Sequence, residues 1–345
     1  ARSPSRSHRP PSIVITKDSH NTCIDLQKVW GLDNQSRALL RKDLHALLLA
    51  DITKSDSIPV SVRMGCSVEQ LFQEGNKMRV QFEHGETESF DLVIAADGVH
   101  STIRQLLFPA VKTVSTDLFY FRFVTQCEAE IENPHWKVME RKGASYGFIP
   151  LTENRQHCFV QLQTSVYPCL QGKEEEYLKE SIIDWDPLIS DALSNRIGPI
   201  HGGFAYMVPP GSWSKGNCVL LGDASHAVSP TLSEGGSLAM EDALALSLAL
   251  YGANSITEAI HFYQQAREER CMWAYRMALS QLNSLRKKRT SEKENKNGDS
   301  AMATRLMAGM YRPFLQNQFP EYLQSLLLKI NSTKAADLFT NLRTN

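Results

Sequence analysis

The 345-residue sequence predicts an α/β fold with an inserted, mainly antiparallel sheet. Three observations carry that expectation. Two continuous apolar runs, "DLVIAADG" and "NCVLLGD", each end on an acid beside a glycine, the pattern of a strand buried on both faces of a parallel sheet. Between them, from about residue 117 to 165, the chain changes to alternating, aromatic-rich segments. Helical segments with apolar stripes follow each region.

Taken in order, residues 1–12 are rich in Ser, Pro and Arg and are predicted disordered. "SRALLRKDLHALLLADI" sets Leu39, Leu40, Leu44, Leu47 and Leu48 at helical spacing, with Arg41 and His45 one turn apart, and predicts a helix with a buried stripe. "IPVSVRM" and "MRVQFEHGETESF" read as short strands, the second turning through Gly85. "DLFYFRFVTQ", "WKVMERKGASYGFIPL" and "QHCFVQLQTS" predict an antiparallel sheet. The run from Val166 to Asn195 reads as helical, with Pro187 as a breaker. "SLAMEDALALSLALYG" is apolar nearly all round and predicts a buried helix. Ser255, with Glu258 three residues on, forms a capping box at the head of a long amphipathic helix. The resulting organisation is a discontinuous domain over 13–110 and 205–285, an insert over 111–204, and a charged linker with C-terminal helices over 286–345.

Composition narrows the function. A net charge of −1 gives no basic field to attract nucleic acid or anionic lipid. No apolar run reaches the roughly 18 residues of a transmembrane helix. Seven cysteines, an odd number without a CxxC pair, suit reduced thiols and a cytoplasmic setting.

The chemistry concentrates at the two strand ends. In an open α/β sheet, ligand-contacting residues stand at the carboxyl ends of strands. Asp97-Gly98 ends one run and Gly222-Asp223 the other: a carboxylate there can accept from hydroxyls, and glycine lets a ligand approach the backbone. For either dipeptide alone, an ordinary turn after a strand explains the residues equally well. Behind the second site stand Gly235 and Gly236 at a helix start, where unpaired amides and the helix dipole favour negative charge by about 0.3–2 kcal/mol.

These residues carry a family resemblance. "DLVIAADGVHSTIR" and "GDASHAVSPTLSEGGSLAMEDA" resemble two fingerprints of class A flavoprotein monooxygenases, the para-hydroxybenzoate and salicylate hydroxylase-like family. "RKDLHALL" and "FYQQAREER" resemble two further elements, in the family's order. The resemblance implies an FAD-binding Rossmann-like domain, N-terminally incomplete, with an inserted substrate domain and C-terminal helices. It implies an enzyme in which NAD(P)H reduces FAD and O2 reacts to a flavin C4a-hydroperoxide that hydroxylates a small aromatic substrate. By the same resemblance, Asp223 would bind the ribityl chain, Asp97, Gly98 and Arg104 would lie near the pyrophosphate, and Arg41 would reach FAD from its helix. Gly222 and His226 would help seat the cofactor, Gly235 and Gly236 would face the pyrimidine end of the flavin, and Pro230 would lie at its oxygen-reactive edge. Tyr146, Phe148 and Phe159 are candidates for the substrate pocket, with a core role as the competing reading.

The sequence also departs from the family. Ser233-Glu234-Gly235 stands where Gly-Gln-Gly is usual, and Ser237 where Asn is usual. Glu234 would put a carboxylate beside the electron-rich end of the flavin and disfavour its reduced anion unless turned away or protonated. No GxGxxG occurs, so the grip on the ADP half is expected to be missing, through truncation or degeneracy. A non-catalytic relative acting through protein contacts, a halogenase or a reductase of the same fold remain the alternatives; "SYGFIPL" keeps only the Ile-Pro of the halogenase WxWxIP element. The histidines show no HxxxH spacing, and neither Ser225 nor Ser233 sits in GxSxG, so neither a metal site nor a hydrolase triad is expected.

Overall fold

The computed structural model describes residues 12–17, 20–25, 38–54, 60–127, 135–141, 143–165, 172–182 and 184–288. The expected disordered lead-in, up to residue 11, and the charged linker and C-terminal helices, from residue 289, lie outside the described residues. In chain order the elements are β1 (Ser12–Lys17), β2 (His20–Asp25), α1 (Arg41–Lys54), β3 (Val68–Glu74), β4 (Lys77–Phe82), β5 (Thr87–Phe90), β6 (Val93–Ala95), α2 (Thr102–Leu107) and β7 (Val114–Gln126). They continue with β8 (Trp136–Arg141), β9 (Ala144–Pro150), β10 (Arg155–Gln163), α3 (Glu174–Ser181), α4 (Pro187–Ser194), β11 (Arg196–Met207), β12 (Ser214–Lys215) and β13 (Cys218–Leu220). The last are the single-turn α5 (Asp223–His226), a 3-10 turn (Pro230–Leu232), α6 (Gly235–Gly252) and α7 (Ile256–Lys288).

The described residues fall into two compact units. The first takes residues up to Asp51, Ser115–Ala205 and the end of α7 from Leu282. Its seven-stranded sheet runs β11-β7-β10-β9-β8-β1-β2. The expected antiparallel segments pair as β7, β10, β9 and β8. Alternating aromatics suit such a sheet because one face can be buried: Phe119, Phe121, Phe123, Phe148, Cys158, Val160 and Leu162 form its core against Leu178, Ile182, Ile189 and Leu193 of α3, α4 and the turn between them. Residues 12–25, grouped in the sequence reading with 13–110, join this sheet as a hairpin whose first strand runs parallel to β8.

The second unit takes Ile52–Val114 and Tyr206–Gln281. β6 and β13 pair in parallel with Val93, Ile94 and Ala95 opposite Cys218, Val219 and Leu220, as expected, and β12 flanks β13. Only β13 is buried throughout; Ile94 of β6 is 47% exposed, which corrects the two-face burial expected for that run. A separate three-stranded sheet, β3-β4-β5, turns through Gly75 and Gly85, both at positive φ. Within this unit the side chain of Asn217 ties the start of β13 to the turn before β4 and to the residue after β5, donating to Asn76 O and Asp91 O at 2.8 Å.

Other expectations are corrected. Residues 60–67 form no strand; the strand pairing β4 is β3, whose polar sequence hides it. Pro187 occupies the first turn of α4, capped by Asp186 Oδ1 accepting from Leu188 N at 2.9 Å, so it starts a helix as much as it breaks one. β11 was not foreseen, its Gly and Pro content weakening the strand pattern. Leu47 and Leu48 of α1 are 47% and 53% exposed, so the leucine stripe is not buried. α6 is not buried all round either: Leu238, Ala245, Leu246 and Ala249 face inward, and Met240 and Tyr251 are 52% and 59% exposed. At the head of α7, Ser255 Oγ accepts from Glu258 N while Glu258 Oε2 accepts from Asn254 N, one residue outside the reciprocal capping pattern.

Candidate active site

Both strand-end dipeptides belong to the second unit. At the end of β6, the Asp97 carboxylate accepts from Ser101 Oγ at 2.5 Å and Ile103 N at 3.1 Å. Ser101 in turn caps α2 by accepting from Arg104 N at 2.9 Å. Gly98 sits at φ +83 with open space where a Cβ would stand. The acid therefore builds its own loop, with both carboxylate oxygens engaged.

Arg104 is 2% exposed. Its guanidinium donates to Val99 O at 2.6 Å and to Ala224 O at 2.9 Å, joining the loop after β6 to the turn after β13. Burial lowers its pKa, against the pull of Asp97. The side chain anticipated beside a pyrophosphate is a buried brace between the two strand ends.

The end of β13 is arranged differently. Gly222 has φ +61 and ψ −138, a combination open to glycine, and a Cβ there would meet the Ala239 Cβ at 3.0 Å. Its amide donates to Asp242 Oδ2 at 2.9 Å. Asp223, next in sequence, opens α5 and is exposed. A Cβ built on Gly235 would lie 3.6 Å from Asp223 Oδ1, and one on Gly236 would meet nothing within 4 Å. The acid at the strand end and the start of the 18-residue α6 thus share one open edge. Pro230 opens the 3-10 turn that leads to α6, and Ser233 closes it at φ 56. The buried hydroxyls on either side of Pro230, Ser229 Oγ and Thr231 Oγ1, have no hydrogen-bond partner.

Beneath this edge lies a charged cluster that sequence reasoning missed. Asp242, fully buried, also accepts from His226 Nε2 at 2.6 Å and from Arg267 Nε at 2.7 Å. Arg267 pairs with Glu241 at 2.7 Å, and Arg270 bridges Glu241 at 3.3 Å and Glu234 at 3.1 Å. His226 is 2% exposed, so it holds α5 against α6 from inside. Burial opposes its charged form, but the Cys271 sulfur and the Asp242 carboxylate outweigh that and push it up to about 10. Burial alone would raise Asp242; the His226 and Arg267 contacts hold it below the usual carboxylate range. The Glu234 acid is pushed up to about 7 by burial, which the attraction of Arg270 only partly offsets while Glu241 adds to the rise. Glu234 is turned inward onto Arg270, a third outcome beside the solvent-facing and protonated ones anticipated.

The signal was present in the sequence: Glu241 and Asp242 are the two charged residues of an otherwise apolar α6, and Arg267 and Arg270 stand one turn apart on α7. Among the described residues, His226, Asp242 and Cys271 bring three potential metal-ligand atoms within 4.8 Å. Both Asp242 oxygens are already engaged, and the Arg267 guanidinium lies 3.9 Å from the Cys271 sulfur, a charge that opposes a cation.

In the first unit, Tyr146 and Phe148 are 3% and 4% exposed and belong to the core, Tyr146 packing on Trp185 with ring centroids 5.2 Å apart. Phe159 is half-buried over Gly147, where a Cβ would meet its ring at 2.7 Å. The first two are packing residues, as their competing reading held. Arg41 begins α1 as an exposed residue.

The FAD binding domain family matches residues 39–278, more than half of the chain. The chain belongs to the class A FAD-dependent monooxygenases. Over 279 residues this monooxygenase is 26% identical to the 2-heptyl-3-hydroxy-4(1H)-quinolone synthase of Pseudomonas aeruginosa, covering 75% of this chain and 68% of the relative. A probable 2-heptyl-3-hydroxy-4(1H)-quinolone synthase of Rhodococcus erythropolis is 31% identical over the same length, covering 75% and 67%. Its fold resembles that of the HpxO protein of Klebsiella pneumoniae complexed with FAD and uric acid, with a TM-score of 0.71 at 20% identity over 87% of this chain and 77% of that one. FAD is accordingly its cofactor, and NAD(P)H is the reductant typical of the family. No helix among the described residues is long and apolar enough to cross a membrane.

The residues present fit a flavin on their own chemistry. An exposed carboxylate and an open glycine pair at a helix start share one edge, offering an acceptor for sugar hydroxyls and donors for a group that gains charge.

Proposed function

We propose that the chain hydroxylates a small aromatic substrate with O2 and NAD(P)H, its flavin seated at the edge shared by Asp223 and the start of α6. The observation that carries this reading is the 3.6 Å approach of Asp223 Oδ1 to the Cβ position of Gly235. Bound FAD would supply electron acceptance from NAD(P)H and the activation of O2. Asp223 would hold the ribityl chain by accepting from its hydroxyls. The Gly235 and Gly236 amides, with the dipole of α6 behind them, would stabilise the negative charge that the flavin gains on reduction. Pro230 would line the cofactor site and presents no donor of its own.

Asp97 and Arg104 shape the neighbouring loop in this reading. The quinolone and the uric acid named for two similar proteins make a fused, nitrogen-containing aromatic ring the substrate class to test first. Titrating purified protein with FAD, then following NAD(P)H oxidation with and without such compounds, tests the proposal. Flavin retained on the protein and oxidation stimulated by an aromatic ring support it; protein that stays colourless after incubation with FAD overturns it.

A further inference from the structure

We infer that Glu234 is a positioning residue for flavin reduction: paired with Arg270 behind the start of α6, it takes up a solvent proton as the flavin gains electrons. The inference rests on the flavin site proposed above and adds a proton acceptor to it. Glu234 is the residue immediately before Gly235 and takes the N-cap position of α6, yet its side chain makes no cap hydrogen bond. Its carboxylate turns inward, 11% exposed, to Arg270 at 3.1 Å.

The charged groups around it come from two helices. α7 supplies Arg270 and, through Glu241, Arg267; α6 supplies Glu241 and Asp242, with His226 of α5 on Asp242. Asp223 stands on the solvent side, near Gly235. Among the described residues, three carboxylates, Glu234, Glu241 and Asp242, thus pair with two guanidiniums, Arg267 and Arg270, and with His226. Arg270 is divided between two acids, so Glu234 has the weakest claim on positive charge, and burial already holds its proton affinity near neutrality.

Reduction moves a hydride, two electrons and one proton, from the nicotinamide to the flavin and leaves the ring with an added negative charge. That charge would fall at the start of the helix that Glu234 precedes. Neighbouring like charges raise each other's proton affinity, and Glu234 responds by binding one proton from solvent. One O–H bond forms on the carboxylate and no bond breaks in the protein. A glutamine at this position would leave the helix dipole to act alone.

The test uses the full chain loaded with FAD. A dye-equilibrated reduction potential, measured from about pH 7 to about pH 9, gives protons taken up per two electrons. For the wild type we expect clearly more than one near pH 7, falling toward one at the alkaline end. For Glu234→Gln the value stays at about one throughout, and at about pH 9 and fixed poise the ratio of reduced to oxidised flavin rises about tenfold. A pH indicator in weakly buffered wild-type solution, read on reduction, reports the same uptake without any variant. Wild-type uptake of one proton across the range, or a Glu234→Gln profile identical to wild type, overturns the inference while leaving the flavin site standing. Failure of the wild type to quench FAD fluorescence removes the flavin site itself, and the inference falls with it.

Discussion

At the end of β6 the glycine follows the acid; at the end of β13 it precedes it. That reversal separates two dipeptides that look equivalent in sequence. After β6, Asp97 is directed onward along the chain onto Ser101 and Ile103, and the glycine eases a loop with empty space around it. After β13, Gly222 takes the tight position against Ala239 and gives its amide to Asp242, which leaves Asp223 to project at the open edge beside Gly235. An acid at a strand end is thus either folded into its own loop or left at an open edge according to which residue absorbs the turn, and for β13 the buried cluster under α6 holds that turning residue.

Asp242→Ala strikes that cluster hardest. It strips Arg267 and His226 of a shared buried partner and frees the Gly222 amide, for an expected loss of about 3–5 kcal/mol in denaturant unfolding, with FAD affinity falling alongside. The acids themselves come next. Asp223→Asn is expected to weaken FAD binding about 10- to 100-fold in a fluorescence titration and leave the apo-protein melting temperature unchanged. Asp97→Ala should do the reverse, costing about 1–2 kcal/mol of stability with little change in FAD affinity. If both acids affect binding equally, the contrast between the strand ends is wrong.

The glycines sharpen the same contrast. Gly222→Ala combines a glycine-only backbone with a 3.0 Å contact and is expected to cost about 2–3 kcal/mol, against about 1 kcal/mol for Gly98→Ala, both read by chemical denaturation. The remaining effect is electrostatic. Burial raises the Glu234 acid from 4.5 to about 7, so the folded chain holds a proton that the unfolded chain has released. Stability should therefore fall, by about 2–3 kcal/mol, as pH rises from about 4.5 to about 7, and this component should vanish in Glu234→Gln.

Much of this could be read from the sequence, for identifiable reasons. The parallel pairing of β6 and β13 and the antiparallel insert follow from local patterns: an apolar run closed by an acid and a glycine, and aromatic alternation with period two. The approach of Asp223 to the start of α6 was legible because Asp223, Gly235 and Gly236 stand at a short, fixed spacing. Arg104, His226 and Glu234 were noticed without their partners, since a sequence gives a charge without its heading; each turns inward to a partner on another segment. β3 and β11 were lost because polar and glycine-rich strands carry no alternation to detect. The exposure of the α1 leucines depends on long-range packing that helical spacing cannot report.

The Arg104 brace also sets an order of events. Its second acceptor, Ala224 O, lies 120 residues further along the chain. During synthesis from the N-terminus, the loop from Asp97 to Arg104 is complete while Ala224 is not yet made, and the guanidinium has only Val99 O of its two acceptors. The first strand end therefore waits, half assembled, on a later-made part of its own unit, and closing the chain over that span is the step that brings the two strand ends together.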